Sequence, residues 1–539
     1  MRLPNMKYGD GITKNTQVKF AGLNHTLGAR DGDIWDMQNM TGDHWPLLAV
    51  RAPRLLFRTL AQPGGIYCWN KLCWVDGTEF YYDGVLKGQV KAGPKRFAAM
   101  GQYVIIMPDK CYYNVETDEF GSLESTWSGE SLTFMNGKLY GEDADANTIR
   151  CEGVEWSAWF KDGDAVSISG CSKHPENNKT PIIRAIDGDK LVFYENIFTL
   201  ENGEDYTETG EMKVSRTVPE LEFMCENENR LWGCDGSTIY ASMWGDPFNW
   251  NVFDGLESDA FSVTPTARGL FSGGISYKGF AIFSKEERIY KVYGSVPSSF
   301  KAVDSASIGV ADGSGESMAI AGETLFYLSQ NGVMAYSGGI PQNVGQPFGM
   351  ERFANAVGGS DGLKYYVSMQ GEDGTWWLYI YDTQTGMWHK EDQIRITHFA
   401  RVDGNLYMLS DTGQIWITGN VKNPPAEAVA EKNIPWMVEF ADFTEESPNK
   451  KNVGKLQLRI ELEEKAEADI LIQFDGDGIW HTIRSLTCDG PKRSFTLPIV
   501  PRRCDHYRLK IEGTGGCMIH SLSRSFSVGS ELKSKSGRN

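Results

Sequence analysis

Six or seven times between about Gly64 and Gly419 the chain repeats one short phrase: an aromatic strand, an Asx-Gly-type turn and a second aromatic strand. The copies include 67–74 (YCWNKLCW), 134–140 (FMNGKLY), 231–240 (LWGCDGSTIY), 325–336 (LFYLSQNGVMAY) and 406–416 (LYMLSDTGQIW). Gly after Asn or Asp accepts the positive φ of a tight hairpin turn. Aromatic and β-branched residues on either side suit a pleated, half-buried surface. A lone hairpin is only marginally stable, whereas units repeated at intervals of roughly 30 to 45 residues read as propeller blades. The expected fold is therefore all-β, a β-propeller of six to eight blades, with seven as the best count.

A chain of 539 residues is too long for one core. Residues 1–60 place apolar anchors between turn residues with neither a helical nor a strand period, which predicts an extended docking arm. That arm would pack on its own propeller or on a neighbouring subunit. Blades are expected over 61–149 and again over 217–420. Between them, 150–216 has a different rhythm, with a clean hairpin at 180–194, and reads as an inserted small β-barrel or sandwich. Residues 421–432, with Asn423-Pro424-Pro425, read as a linker. Strong alternation over 433–528, as in 455–462 (KLQLRIEL), predicts a C-terminal β-sandwich. The polar end, 529–539, reads as a tail.

The net charge of −18 argues against a general nucleic-acid clamp, which needs a basic surface to displace counterions. An acidic wall would instead let DNA slide past without sticking. The start of the chain leads into polar sequence and no apolar run approaches the roughly 20 residues of a membrane span, so a soluble protein without stable membrane insertion is expected. Ten cysteines include no C-x-x-C pair, and no His-x₃₋₅-His accompanies them, which argues against zinc.

The 410–416 turn (SDTGQIW) has a faint likeness to the Asp-box of sialidase propellers, but its spacing is off by a residue. The 142–147 run (EDADAN) resembles the front of a calcium loop, but Thr148 and Val154 stand where Gly and Glu are required. The eight histidines are dispersed, and no Ser/His/Asp set or phosphate loop is visible. No catalytic residue, metal or cofactor is therefore assigned. The residues singled out are candidates for contact: Trp35, Trp45 and Leu47 as arm anchors, His25 as a hydrogen-bonding group, and the basic cluster Arg502, Arg503, Arg508 and Lys510. That cluster either forms a solvated strand face or meets an acidic neighbour. The stretch from Glu195 to Asp259, with fifteen acids against three bases, is such a neighbour on another subunit.

Certain motifs resemble the nozzle or packaged-DNA stabilisation proteins of short-tailed bacteriophages, the tail tubular protein B family. They are Gly22-Leu23-Asn24-His25, Asp36-Met37-Gln38-Asn39-Met40, Pro46-Leu47-Leu48 and Arg51-Ala52-Pro53-Arg54 in the arm, with Pro501-Arg502-Arg503-Cys504-Asp505-His506 and Ile519-His520-Ser521-Leu522 near the end. As a pattern the likeness spans most of the chain. It implies a structural, non-enzymatic virion component: a homo-oligomeric ring, usually a hexamer, below the portal and adaptor. Such a ring would contact tail fibre or tip proteins and enclose the channel through which packaged DNA leaves, without reading its sequence. It also adds Asn24, Arg51 and Arg54 to the candidate interface residues. A tail-tip receptor- or glycan-binding propeller and a polysaccharide hydrolase are the competing expectations.

Overall fold

The computed structural model describes residues 11–137, 145–194, 196–253, 255–419, 421–487, 493–498 and 502–528. The chain divides into two compact units, Ala61–Gly315 and Met1–Leu60 together with Glu316–Asn539. Among the described residues no helix is long and apolar enough to cross a membrane.

The repeated phrase builds four-stranded antiparallel meanders. In the Ala61–Gly315 unit there are four, with first strands Pro63–Trp69, Arg96–Met100, Glu222–Asn227 and Gly273–Tyr277. The other unit has two, beginning at Ala319–Ala321 and Phe353–Ser360, and a five-stranded sheet that begins at Ile396–Val402. Each is a propeller blade, numbered here one to seven in chain order, so the described residues hold four plus three blades and the fold is a β-propeller. The turns behave as the phrase requires: Asn70, Gly236, Gly332 and Gly413 all have positive φ.

Blade seven draws on both ends of the repeat. Its fourth place is filled by Leu55–Thr59, which pairs with Gln414–Thr418 in the register Gln414↔Thr59 to Ile417↔Leu55. This gives Gln414–Thr418 a partner on a side that would otherwise be an open edge. Gly413 permits it: φ is +87°, and a Cβ there would lie 2.3 Å from the Leu60 carbonyl oxygen.

One copy of the phrase is not a blade. Phe134-Met135-Asn136-Gly137 ends the long strand Ser125–Gly137, which pairs with Tyr206–Arg216 in the inserted sheet. The insert thus begins at Ser125 rather than at 150, and blade two ends at Ser122. Local pattern could not separate the two cases, because the deciding partner lies some seventy residues further along. The six-stranded insert wraps around Trp127, Phe134, Trp156, Phe160 and Phe193. Its edges meet through Val166 N–H to Pro181 O and Ile168 N–H to Lys179 O, which gives it the barrel form.

The sandwich is present and larger than 433–528. One sheet is built on Lys451–Leu462 and Cys517–Val528, the other on Pro435–Phe440, Tyr507–Thr514 and Glu467–Phe474. Their inner faces supply Leu456, Leu458, Ile460, Ile519, Val438, Ile470 and Ile511 to one core. The first sixty residues supply the missing strands. Thr13–Gln17 and Leu48–Val50 pair with Cys517–Val528, and Ile34–Gln38 pairs with Pro435–Phe440. The expected extended arm is therefore woven into its own chain: its strands are two to five residues long, too short for a period, and apart from the Met40–Thr41 pairing with Leu48–Val50 their partners lie hundreds of residues away. The 421–432 linker likewise includes a short strand, Val429–Ala430, beside Leu55–Leu56.

Candidate functional site

The motif residues of the arm converge where blade six meets the sandwich, within one unit. Leu23 N–H donates to Trp388 O at 2.8 Å, and Asn39 N–H to Lys390 O at 3.0 Å. Gly22 is needed for this approach, since a Cβ there would stand 2.6 Å from the Trp388 carbonyl oxygen. Asn39, at φ +56°, turns its side chain to donate to Pro435 O at 2.8 Å and to Asp392.

Arg51 and Arg54 complete the clamp. Arg51 donates to Asn39 Oδ1 at 2.8 Å, Glu431 Oε2 at 2.7 Å and Asp392 Oδ2 at 3.0 Å. Arg54 donates to the same Asp392 oxygen at 2.8 Å and pairs with Glu391. Both arginines are buried. Burial alone would raise the Asp392 carboxyl, but the Arg54 and Arg51 guanidiniums outweigh it and hold it below the ordinary value. The expectation of an outward interface at Arg51 and Arg54 is thus corrected: the acids at 391, 392 and 431 draw both side chains inward. Beside them, Gly42 N–H donates to His389 Nε2 at 3.0 Å, and Lys364 pairs with Asp43.

The other candidates fall in different places. Asn24 serves its own loop, donating to Asp33 at 2.9 Å and accepting from Thr26. Trp45 is 49% exposed and Leu47 half-buried. The basic cluster is largely matched within the chain. Arg508 pairs with Asp442 and Glu439, Lys510 with Glu512, and Arg502 lies 3.9 Å from Asp477. Arg503 sits on the short strand Arg503–Cys504 beside Asn452. The 410–416 turn is an ordinary hairpin, with Gln414 N–H donating to Ser410 Oγ at 3.0 Å. Of the 142–147 run, residues 142–144 lie outside the described residues, and 145–147 open the strand Asp145–Arg150.

His25 and Trp35 line a cleft of about 460 Å³ between blade six and the strands Ile34–Gln38 and Pro435–Phe440. His25 Nδ1 lies 2.6 Å from Glu351, and its ring packs 5.4 Å from Trp35. Asp36 and Glu439 stand opposite each other across the two strands. Lys390 pairs with Asp36, with its ammonium 4.2 Å from the Trp377 ring, while Arg508 holds Glu439 at 3.0 Å. Burial raises the Glu439 carboxyl despite Arg508. Tyr379, on Trp376–Asp382, is 4% exposed; burial first, then the charges of Glu351, Asp36 and Asp373, push its hydroxyl up. His25 and Trp35 stand out singly in the sequence. Tyr379, Lys390 and Glu439 come from two other stretches, with no local signal to join them. Among the described residues, no three His, Cys, Asp or Glu side chains are grouped to hold a metal ion.

No protein-family model matches the chain, and no curated protein matches it. Among solved structures, the chain is similar to BamB from Moraxella catarrhalis at 11% identity and TM-score 0.31, over 68% of this chain and 98% of that one. It is similar to Kluyveromyces lactis Hsv2 at 12% identity and TM-score 0.26, over 51% and 88%. It is also similar to an exo-beta-1,3-galactanase from Phanerochaete chrysosporium at 8% identity and TM-score 0.22, over 56% and 94%. Scores this low transfer no function from any of them to this chain.

Proposed function

We propose that this chain is a structural subunit of a phage tail nozzle, assembled as a ring around the DNA exit channel below the portal and adaptor. The observation that carries this reading is the use made of the resemblance motifs. Gly22-Leu23, Asn39 and Arg51–Arg54 are all engaged in fastening blade six to the sandwich, through close backbone approach and a buried ionic cluster. Motif residues employed in this way serve a rigid building block, whose work lies in shape and contact. The acidic balance of −18 suits a wall past which DNA slides. The reading includes no catalysis: the facing carboxylates of the cleft, Asp36 and Glu439, are each held by a cation of the same chain. Quantitative mass spectrometry of gradient-purified tailed particles tests it. Several copies of the chain per particle are expected, and particles free of the chain contradict it.

A further inference from the structure

The blade-six cleft contains polar atoms that the fold leaves unmatched. Tyr379 is only 4% exposed, its hydroxyl keeps contact with solvent, and among the described residues no protein group hydrogen-bonds to it. His25 Nε2 behind it is buried without a partner, its other ring nitrogen being held by Glu351. Both residues line the same cavity, whose volume lies within the roughly 300–1,000 Å³ of small-molecule sites.

The rest of the lining narrows the ligand class. Five carboxylates, Asp36, Glu351, Glu372, Asp373 and Glu439, surround the cavity and disfavour an anion. A cation is disfavoured too. Lys390 and Arg352 face the same space, and Asp36, Glu351 and Glu439 already have partners in Lys390, His25 and Arg508. Asp373 is occupied in capping Thr375. An uncharged ligand with both donors and acceptors remains. Trp35, Phe353 and Trp377, each half-buried, supply the apolar wall on which such a molecule packs a C–H face.

We propose that this cleft binds a short uncharged saccharide, with Tyr379 Oη hydrogen-bonding one of its hydroxyls and the indole and phenyl rings covering its apolar face. The inference is independent of the nozzle reading and holds for the chain in any assembly that leaves the cleft open.

Saturation-transfer NMR and calorimetry on the full chain test it, with maltotriose, cellotriose, mannotriose, galactotriose and chitotriose as probes. At least one is expected to bind. Tyr379→Phe, which removes only the hydroxyl, is expected to weaken that binding about three- to tenfold without lowering the melting temperature. Glu372→Arg, an exposed change at the rim, is expected to weaken it as well and leaves the core untouched. The proposal is overturned if none of the five binds, if binding is unchanged in both variants, or if spermidine binds while the saccharides do not.

Discussion

Arg524 Nε lies 2.8 Å from Glu445 Oε1 inside the sandwich, with the two side chains 5% and 0% exposed. The same carboxylate accepts from the Tyr507 hydroxyl at 2.6 Å and, through Oε2, from Asn15 Nδ2 at 2.7 Å. One buried acid therefore ties an N-terminal strand to two C-terminal ones. Glu445→Ala strands the Arg524 charge and is expected to cost about 3–5 kcal/mol. Tyr507→Phe, which removes one bond to a charged acceptor, is expected to cost about 1.5–3 kcal/mol. Urea unfolding midpoints measure both.

The clamp at blade six gives a parallel expectation. Arg51→Ala leaves Glu431 and Asp392 facing each other without one of their cations. It is expected to destabilise by roughly 3–5 kcal/mol. Trp45→Ala, at a half-exposed position, is expected to stay within about 1 kcal/mol. The reverse order in thermal or urea unfolding would show that the arm is held by its exposed tryptophan rather than by its ion pairs.

His389 makes stability depend on pH. Burial first, then the Lys364 charge, push its imidazole down to about 4, against the opposing pull of Asp43 and Asp382. Above pH 6.5 neither the folded nor the unfolded chain carries the extra proton. Between 6.5 and 4 the unfolded chain takes up a proton that the folded one excludes, so stability falls by on the order of 3 kcal/mol. Asp392, held below its ordinary value of 3.8, adds its own loss only at lower pH. Comparing urea midpoints at pH 7.5, 6.0 and 4.5 isolates the histidine. His389→Gln retains an acceptor for Gly42 N–H and is expected to remove most of the decline above pH 4.5.

Two glycines of blade seven separate conformational strain from crowding. Gly404 has φ +83° with nothing within 4 Å of an added Cβ, whereas Gly413 at +87° faces the Leu60 carbonyl. Gly404→Ala is expected to cost roughly 1–2 kcal/mol for the left-handed backbone alone. Gly413→Ala adds about 1–3 kcal/mol more as the Leu55–Thr59 strand is pushed away. Equal unfolding midpoints for the two variants would mean that this strand contributes little to the blade.

The blades are readable because all but blade seven are made locally. Strands such as Thr324–Ser329 and Gly332–Tyr336 are joined by their own turn, and alternation with Asn-Gly chemistry carries the whole instruction. The same locality explains the misassignment of 134–137, where an identical turn phrase belongs to a barrel strand whose partner is Tyr206–Arg216. The arm hid its role for the opposite reason. Met40–Thr41 and Leu48–Val50 are too short to show a period, and Arg51 meets its acids at 391, 392 and 431. The cleft was least readable: His25, Tyr379 and Glu439 come from three separate stretches and are assembled only by folding.

Cryo-electron microscopy of tailed particles that contain this chain tests the central proposal most directly. Several symmetry-related copies around the tail axis, with acidic surfaces turned to a DNA-wide channel, are the expected result. A single copy off the axis, or copies confined to fibre tips with no continuous channel between them, would contradict it.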